Sequence, residues 1–141
     1  MNRLYVLVRL KIPDNTAFTT HQALRSLGFQ IDKVERAELY EVQTHLPEDK
    51  VKKLWENTDV LANSNKHKVE VYSGLPKDSI IVWDAENGGS GVLNTLHKRF
   101  NMTSIAHLRK GVWWNLHTNE NIRQCVEGLL YSKHFQEYKI I

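Results

Sequence analysis

The chain has 141 residues, 41% hydrophobic and 25% charged, a composition that suits one ordinary globular domain or two very small ones and excludes a disordered chain. Its net charge of +3 arises from 19 basic residues interspersed with 16 acidic ones, so the dense basic stripe of a dedicated nucleic-acid binder is absent and nucleic acid is not expected as a partner. No apolar run approaches the roughly 18–20 residues that cross a bilayer, and Met1-Asn2-Arg3 leads directly into a strand pattern, which points to a cytoplasmic protein with no membrane partner.

Leu4 to Leu10 is rich in branched and aromatic residues over a strand length, and Pro13-Asp14-Asn15 stops it with turn chemistry. From Ala17 the period changes. Thr20, Ala23, Leu24 and Leu27 fall at i, i+3, i+4 and i+7 of a helix, and Gly28 is placed to end it in a left-handed conformation. Ile31 to Glu35 reads as a second strand or extended connection, leading into a strand from Arg36 through Leu39, Tyr40 and Val42 to Thr44. Pro47-Glu48-Asp49 starts a helix whose inward stripe is Val51, Leu54, Trp55, Thr58 and Leu61. Alternation in Lys68-Val69-Glu70-Val71-Tyr72 gives a half-buried strand.

Residues 74–78 form a short turn-rich connector, after which the order restarts. Ser79 to Trp83 is a strand and Asn87 to Gly91 a flexible loop. Val92 or Leu93, Leu96 and Phe100 line a helix, and Leu108 to Leu116 is a strand with bulky residues on both faces. Thr118 to Asn121 caps a helix with the stripe Ile122, Cys125, Val126, Leu129 and Leu130, and Gln136 to Ile141 closes the chain as a strand.

The chain therefore reads as one unit written twice, with residues 1–73 and 79–141 as the copies. Arg36 matches Arg109 and Tyr40 matches Trp113 at a spacing of 73, while Val69 matches Tyr138 and Val71 matches Ile140 at 69. The fold class that follows is α+β, two ferredoxin-like β-α-β-β-α-β repeats with antiparallel sheets forming an intrachain pseudo-dimer. On that alignment Tyr40 and Trp113 occupy equivalent places facing the interior or the seam. Trp114, on the opposite face of its strand, is then the residue expected to meet a partner or a second copy of the chain.

Catalytic signatures are missing. The seven histidines show no His-Glu-x-x-His spacing, no Gly-x-Ser-x-Gly elbow occurs, and no glycine loop ends in Gly-Lys-Ser or Gly-Lys-Thr. The lone Cys125 falls on the apolar side of a helix, where a buried inert thiol is expected. No catalytic, cofactor-binding or metal residue is therefore expected. Gly88 to Gly91 precedes a helix and could present backbone N–H groups to an anion, but a plain loop is the simpler reading.

Val6 to Lys11, Ala23-Leu24-x-x-Leu27-Gly28-Phe29, Leu61-Ala62-Asn63 and Val69-Glu70-Val71 in the first half, together with Gly91, Arg109, Gly111, Trp113, Leu116 and Tyr138-Lys139-Ile140 in the second, resemble a known family. It is the small PurS-type subunit of phosphoribosylformylglycinamidine synthase, from de novo purine biosynthesis. Glu38 stands where that family has Gly, and Leu39 and Val112 where it has Lys. Ordinary members are single-copy and pair as dimers, so a tandem copy would resemble a fused dimer.

The resemblance implies a non-catalytic assembly subunit that joins a synthetase (PurL-type) to a glutaminase (PurQ-type) subunit of an ATP- and glutamine-dependent ligase. It also allows a homodimer of the duplicated chain. Arg36, Tyr40, Arg109, Trp113 and Trp114 are the interface candidates. Two other readings fit the order of elements. One is an RNA-binding module stacking bases on the Lys110 to Trp114 strand. The other is a ligand-binding regulatory domain of the ACT type, whose glycine turn only the second half supplies.

Overall fold

The computed structural model describes residues 1–58, 61–63, 65–84, 90–99, 103–133 and 135–141. Branched and aromatic residues make β1 (Asn2–Leu10) a strand, and the chain turns at Pro13 into helix α1 (Asn15–Ser26). Asp14 caps that helix, its carboxylate accepting from the backbone N–H groups of Thr16 and Ala17 at 2.9 and 3.1 Å. Gly28, at φ +98°, ends it in the left-handed conformation that only glycine adopts without steric cost.

Strand β2 (Lys33–Thr44), helix α2 (Glu48–Glu56) and strand β3 (His67–Tyr72) complete the first half. The second half contains β4 (Ile80–Asp84), α3 (Ser90–Arg99), β5 (Ile105–His117), α4 (Ile122–Cys125) and β6 (Gln136–Ile140).

The extended run expected at Ile31 to Glu35 and the strand after it are one element. Nothing between Lys33 and Thr44 supplies turn chemistry, and β5 pairs with that whole stretch, from Lys33↔His117 to Thr44↔Ile105. Each half among the described residues is therefore β-α-β-α-β, not β-α-β-β-α-β.

The six strands among the described residues form one antiparallel sheet in the order β3-β1-β2-β5-β4-β6. The two halves thus share a sheet across the β2–β5 ladder, and β3 and β6 are its edges.

The sheet has a helix face and a strap face. On the helix face, Leu4, Val6, Val8, Tyr40, Val42, Val69 and Leu108 pack with Val51 and Trp55 of α2 and Leu96 of α3. Beside them Ile80, Val82, Trp114 and Leu116 pack with Leu24 of α1 and with Cys125 and Val126. Burial of these two apolar clusters is the main stabilising term of the fold.

After Cys125 the helix widens into a π-helical turn, Val126–Leu130. The extra residue rotates Leu129 outward, so Val126 and Leu130 are buried and Leu129, expected in the stripe, is exposed.

The strap face carries a second apolar layer of Leu7, Ala37, Leu39, Ile81, Trp83 and Trp113. The connector covers it. From Tyr72 on an edge strand to Ile80 the chain must pass four strand spacings of about 4.8 Å. Its eight peptide steps reach about 3.5 Å each, about 28 Å in all against a crossing of about 19 Å, which is enough to pass over the face. Leu75 inserts among those residues on the way.

Register also settles which residues share a face. Tyr40 lies on the helix face and Trp113 on the strap face, because Tyr40 is opposite Lys110, three residues from Trp113. The spacing of 73 therefore aligns residues on opposite faces. Pairs Val6↔Tyr40 and Ile80↔Trp114 correspond at 74 instead, an even offset that preserves facing. The spacing of 69 does preserve facing, since Val69 and Tyr138 both belong to the helix-face layers.

Candidate functional site

A polar network runs across four strands at one end of the strap face. Tyr72 on β3 donates its hydroxyl to Glu70 at 2.8 Å, and Glu70 accepts from Nε of Arg9 on β1. Nη1 of Arg9 also reaches Glu35 of β2 at 3.5 Å, and the other oxygen of Glu35 accepts from Nε2 of His117 on β5 at 2.8 Å. The guanidinium of Arg9 lies over the ring of Trp113 at 4.5 Å from its centroid, so the same cation seals the apolar layer beneath.

The electrostatics follow from this arrangement. Partial burial alone would raise both carboxyl groups. For Glu35 the hydrogen bond from His117 and the charges of Arg9 and Lys33 outweigh it, and for Glu70 the bonds from Tyr72 and Arg9 do. Both are held below the ordinary carboxylate value. Burial and the neighbouring Glu70 push the Tyr72 hydroxyl up, which keeps it a neutral donor. Carboxylates so firmly ionised and so fully engaged are poor proton acceptors, and the network is suited to holding strands together.

A second arginine–tryptophan stack stands on the other half of this face. Arg109 lies over Trp83 at 4.2 Å and bonds Glu137 of β6 at 3.3 Å. Trp83 can lie there because β5 carries Gly111 beneath it.

Beside the first network the sheet splits. β1 pairs with β2 only as far as Val8↔Glu38, while β5 follows β2 to Lys33. The gap, closed by α1, is a cleft of about 320 Å³ whose charged lining includes Arg9, Arg36, Asp14 and Glu35. Arg36 is tied to Asp14 at 3.5 Å and lies 5.7 Å from the Trp114 ring. The lips of the cleft are the exposed side chains of Leu10, Ile12 and Phe18.

The five interface candidates do not converge. Arg36 lines the cleft, Arg109 lies in the Trp83 stack, and Tyr40 is buried against Trp55 in an edge-on contact at 5.6 Å. Trp113 is 2% exposed under Arg9, and Trp114, expected to face outward, is 7% exposed among Ile80, Leu116 and Cys125. Both tryptophans are buried because this sheet is covered on both faces, by helices on one and by the strap on the other. No ring on Lys110 to Trp114 is open for stacking.

Of the histidines, two do equivalent work in the two halves. His21 of α1 donates from Nε2 to the Ile31 carbonyl at 2.6 Å, and His97 of α3 donates from Nε2 to the Ile105 carbonyl at 2.7 Å. His97 fastens its helix to the first residue of β5, and His21 fastens its helix to the segment just before β2. The signal was present in the chain as a helix histidine followed by an isoleucine 10 or 8 residues on. The cross-strand partners of Arg9 carried no such signal, since they depend on register.

Cys125 is fully buried, and burial pushes its thiol up, as expected of an inert packing residue. Among the described residues no group of three or more His, Cys, Asp or Glu side chains could hold a metal, and no helix is long and apolar enough to cross a membrane. Asn87 to Gly89 of the glycine loop lie outside the described residues, and Ser90 and Gly91 open α3. No protein-family model matches the chain, and no curated protein matches it.

Proposed function

We propose that this chain is a non-catalytic assembly subunit with the architecture of a fused dimer, a tandem relative of the PurS-type subunit acting in the cytoplasm. The observation that carries the reading is the β2–β5 ladder. A strand from each half pairs along its full length at the centre of the sheet, as identical subunits do across a two-fold axis, and Glu38 stands opposite Val112, its own equivalent at the offset of 74. The strand order outward from that ladder, β2-β1-β3 and β5-β4-β6, repeats in sequence order. The offsets of 74 for the inner strands and 69 for the edge strands, and the paired latches of His21 and His97, support the same duplication.

An assembly role fits a site whose charged groups are spent on one another. The partners in this reading are a synthetase and a glutaminase subunit that supply the nucleotide site and the nucleophile. Purification from native lysate tests it. Recovery of those two subunits with the chain is the expected result. Recovery of RNA instead would support the base-stacking alternative, against which the burial of Trp113 and Trp114 already counts.

A further inference from the structure

We infer that β6 is a self-pairing edge through which two copies of this chain join into one continuous antiparallel sheet. The occupant of that edge is a second copy because the strand is self-complementary. Register and charge alone favour this pairing, independently of the assembly role proposed above.

The first observation is which backbone groups the edge offers. The N–H of Ile141 donates to the Ser79 carbonyl at 2.9 Å, in the same register as Ile80↔Ile140. Hydrogen-bonded pairs alternate along an antiparallel ladder, so Lys139 and Glu137 turn their backbone groups toward β4. Tyr138 and Ile140 turn theirs outward, away from the sheet. β6 is the last strand in the order, so no strand among the described residues meets them.

The second observation is the side-chain pattern. Pairing β6 with itself in antiparallel register about Tyr138 places Tyr138 opposite Tyr138 of the second copy, with their outward groups facing. It also places Glu137 opposite Lys139 of the second copy and Lys139 opposite Glu137. Continued just past the ends of the strand, the register sets Phe135, 72% exposed, against Ile141, 39% exposed. Acid meets base and Phe135 meets Ile141, each twice over, as an isologous interface requires, while Gln136, whose backbone N–H donates to the Ser132 carbonyl at 2.8 Å, falls opposite Ile140.

A strand edge armed only against pairing carries charges of one sign or a proline, because like charges repel an incoming copy. Here the signs are spaced to cancel. Glu137 is also well presented, its side chain 66% exposed and bonded to Arg109 on the strap face. The opposite edge is less suited. β3 could set Lys68 against Glu70, but Glu70 is 24% exposed and already engaged by Arg9 and Tyr72.

Charge swaps on the full chain test the inference, read as mass in solution by sedimentation over a range of concentrations. Wild type is expected at twice the chain mass. Glu137→Lys and Lys139→Glu each set like charges opposite each other twice and should weaken association about tenfold or more. Mixed in equal amounts, the two variants should form a heterodimer, because two lysines on one strand then face two glutamates on the other, and that recovery also shows that both are folded. Wild type at the single-chain mass throughout would overturn the inference. So would a dimer that survives both single swaps, or variants that do not associate when mixed.

Discussion

Gly111 lies directly beneath the ring of Trp83, so that a β-carbon on residue 111 would stand 2.6 Å from Cε3 of that ring and 2.8 Å from the Val82 carbonyl oxygen. The second contact is with backbone, which cannot rotate away. Gly111→Ala must therefore separate β4 from β5 or displace Trp83 from under Arg109. We expect a loss of about 1–3 kcal/mol, the usual cost of forcing extra volume into a packed site. Urea unfolding measures it, and a midpoint equal to wild type would mean that Trp83 lies elsewhere.

Trp113 and Trp114 point to opposite faces of β5 and both are buried, so both substitutions to alanine should be costly. Removing a fully buried aromatic ring typically costs about 3–5 kcal/mol. Trp113→Ala should also loosen the strap, since its ring touches the layer that receives Leu75. Limited proteolysis within residues 73–79 would report that loosening, and Trp114→Ala should leave the strap as protected as in wild type.

The carboxyl groups of Glu35 and Glu70 are held below their ordinary value of 4.5, so the folded chain binds fewer protons than the unfolded one in that range. Their stabilisation is complete above pH 4.5 and is lost as the pH falls through the lowered folded-state values. Arg9→Met removes the cation between them. The variant should be less stable than wild type at neutral pH, and the difference should shrink at an acid pH below the lowered folded-state values of the two carboxyls. Unfolding midpoints at both pH values decide it. A difference unchanged with pH would show that Arg9 acts through packing on Trp113 alone.

His21 and His97 each satisfy a backbone carbonyl at or just before a strand start. His21→Phe or His97→Phe keeps a ring but leaves the carbonyl without its donor, at a cost of about 1–3 kcal/mol where water cannot replace it. The two sites lie in different halves and share no partner, so the double variant should show the sum of the two losses. Chemical denaturation of the four proteins tests this, and strong non-additivity would mean that the latches communicate through the sheet.

Much of the secondary structure was written in local chemistry. Asp14 and Gly28 bound α1, the alternation in Lys68 to Tyr72 marks β3, and the apolar period of α2 brings Val51 and Trp55 to the core, because capping, turn formation and periodicity act over a few residues. The repetition of the element order was equally legible. Facing was not. A strand reverses its faces with a shift of one residue, so the sequence echo between Arg36 to Val42 and Arg109 to Trp113 suggested 73 where the ladders require an even offset.

Only the tertiary structure decided that Trp114 is covered, that the connector straps the second face, and that Arg9 meets Glu70, Glu35 and Trp113 on three other strands. Those contacts join residues from 26 to 61 positions apart among the hydrogen bonds alone. They exist because strand order and register bring them together, and neither is encoded in any local stretch of the chain.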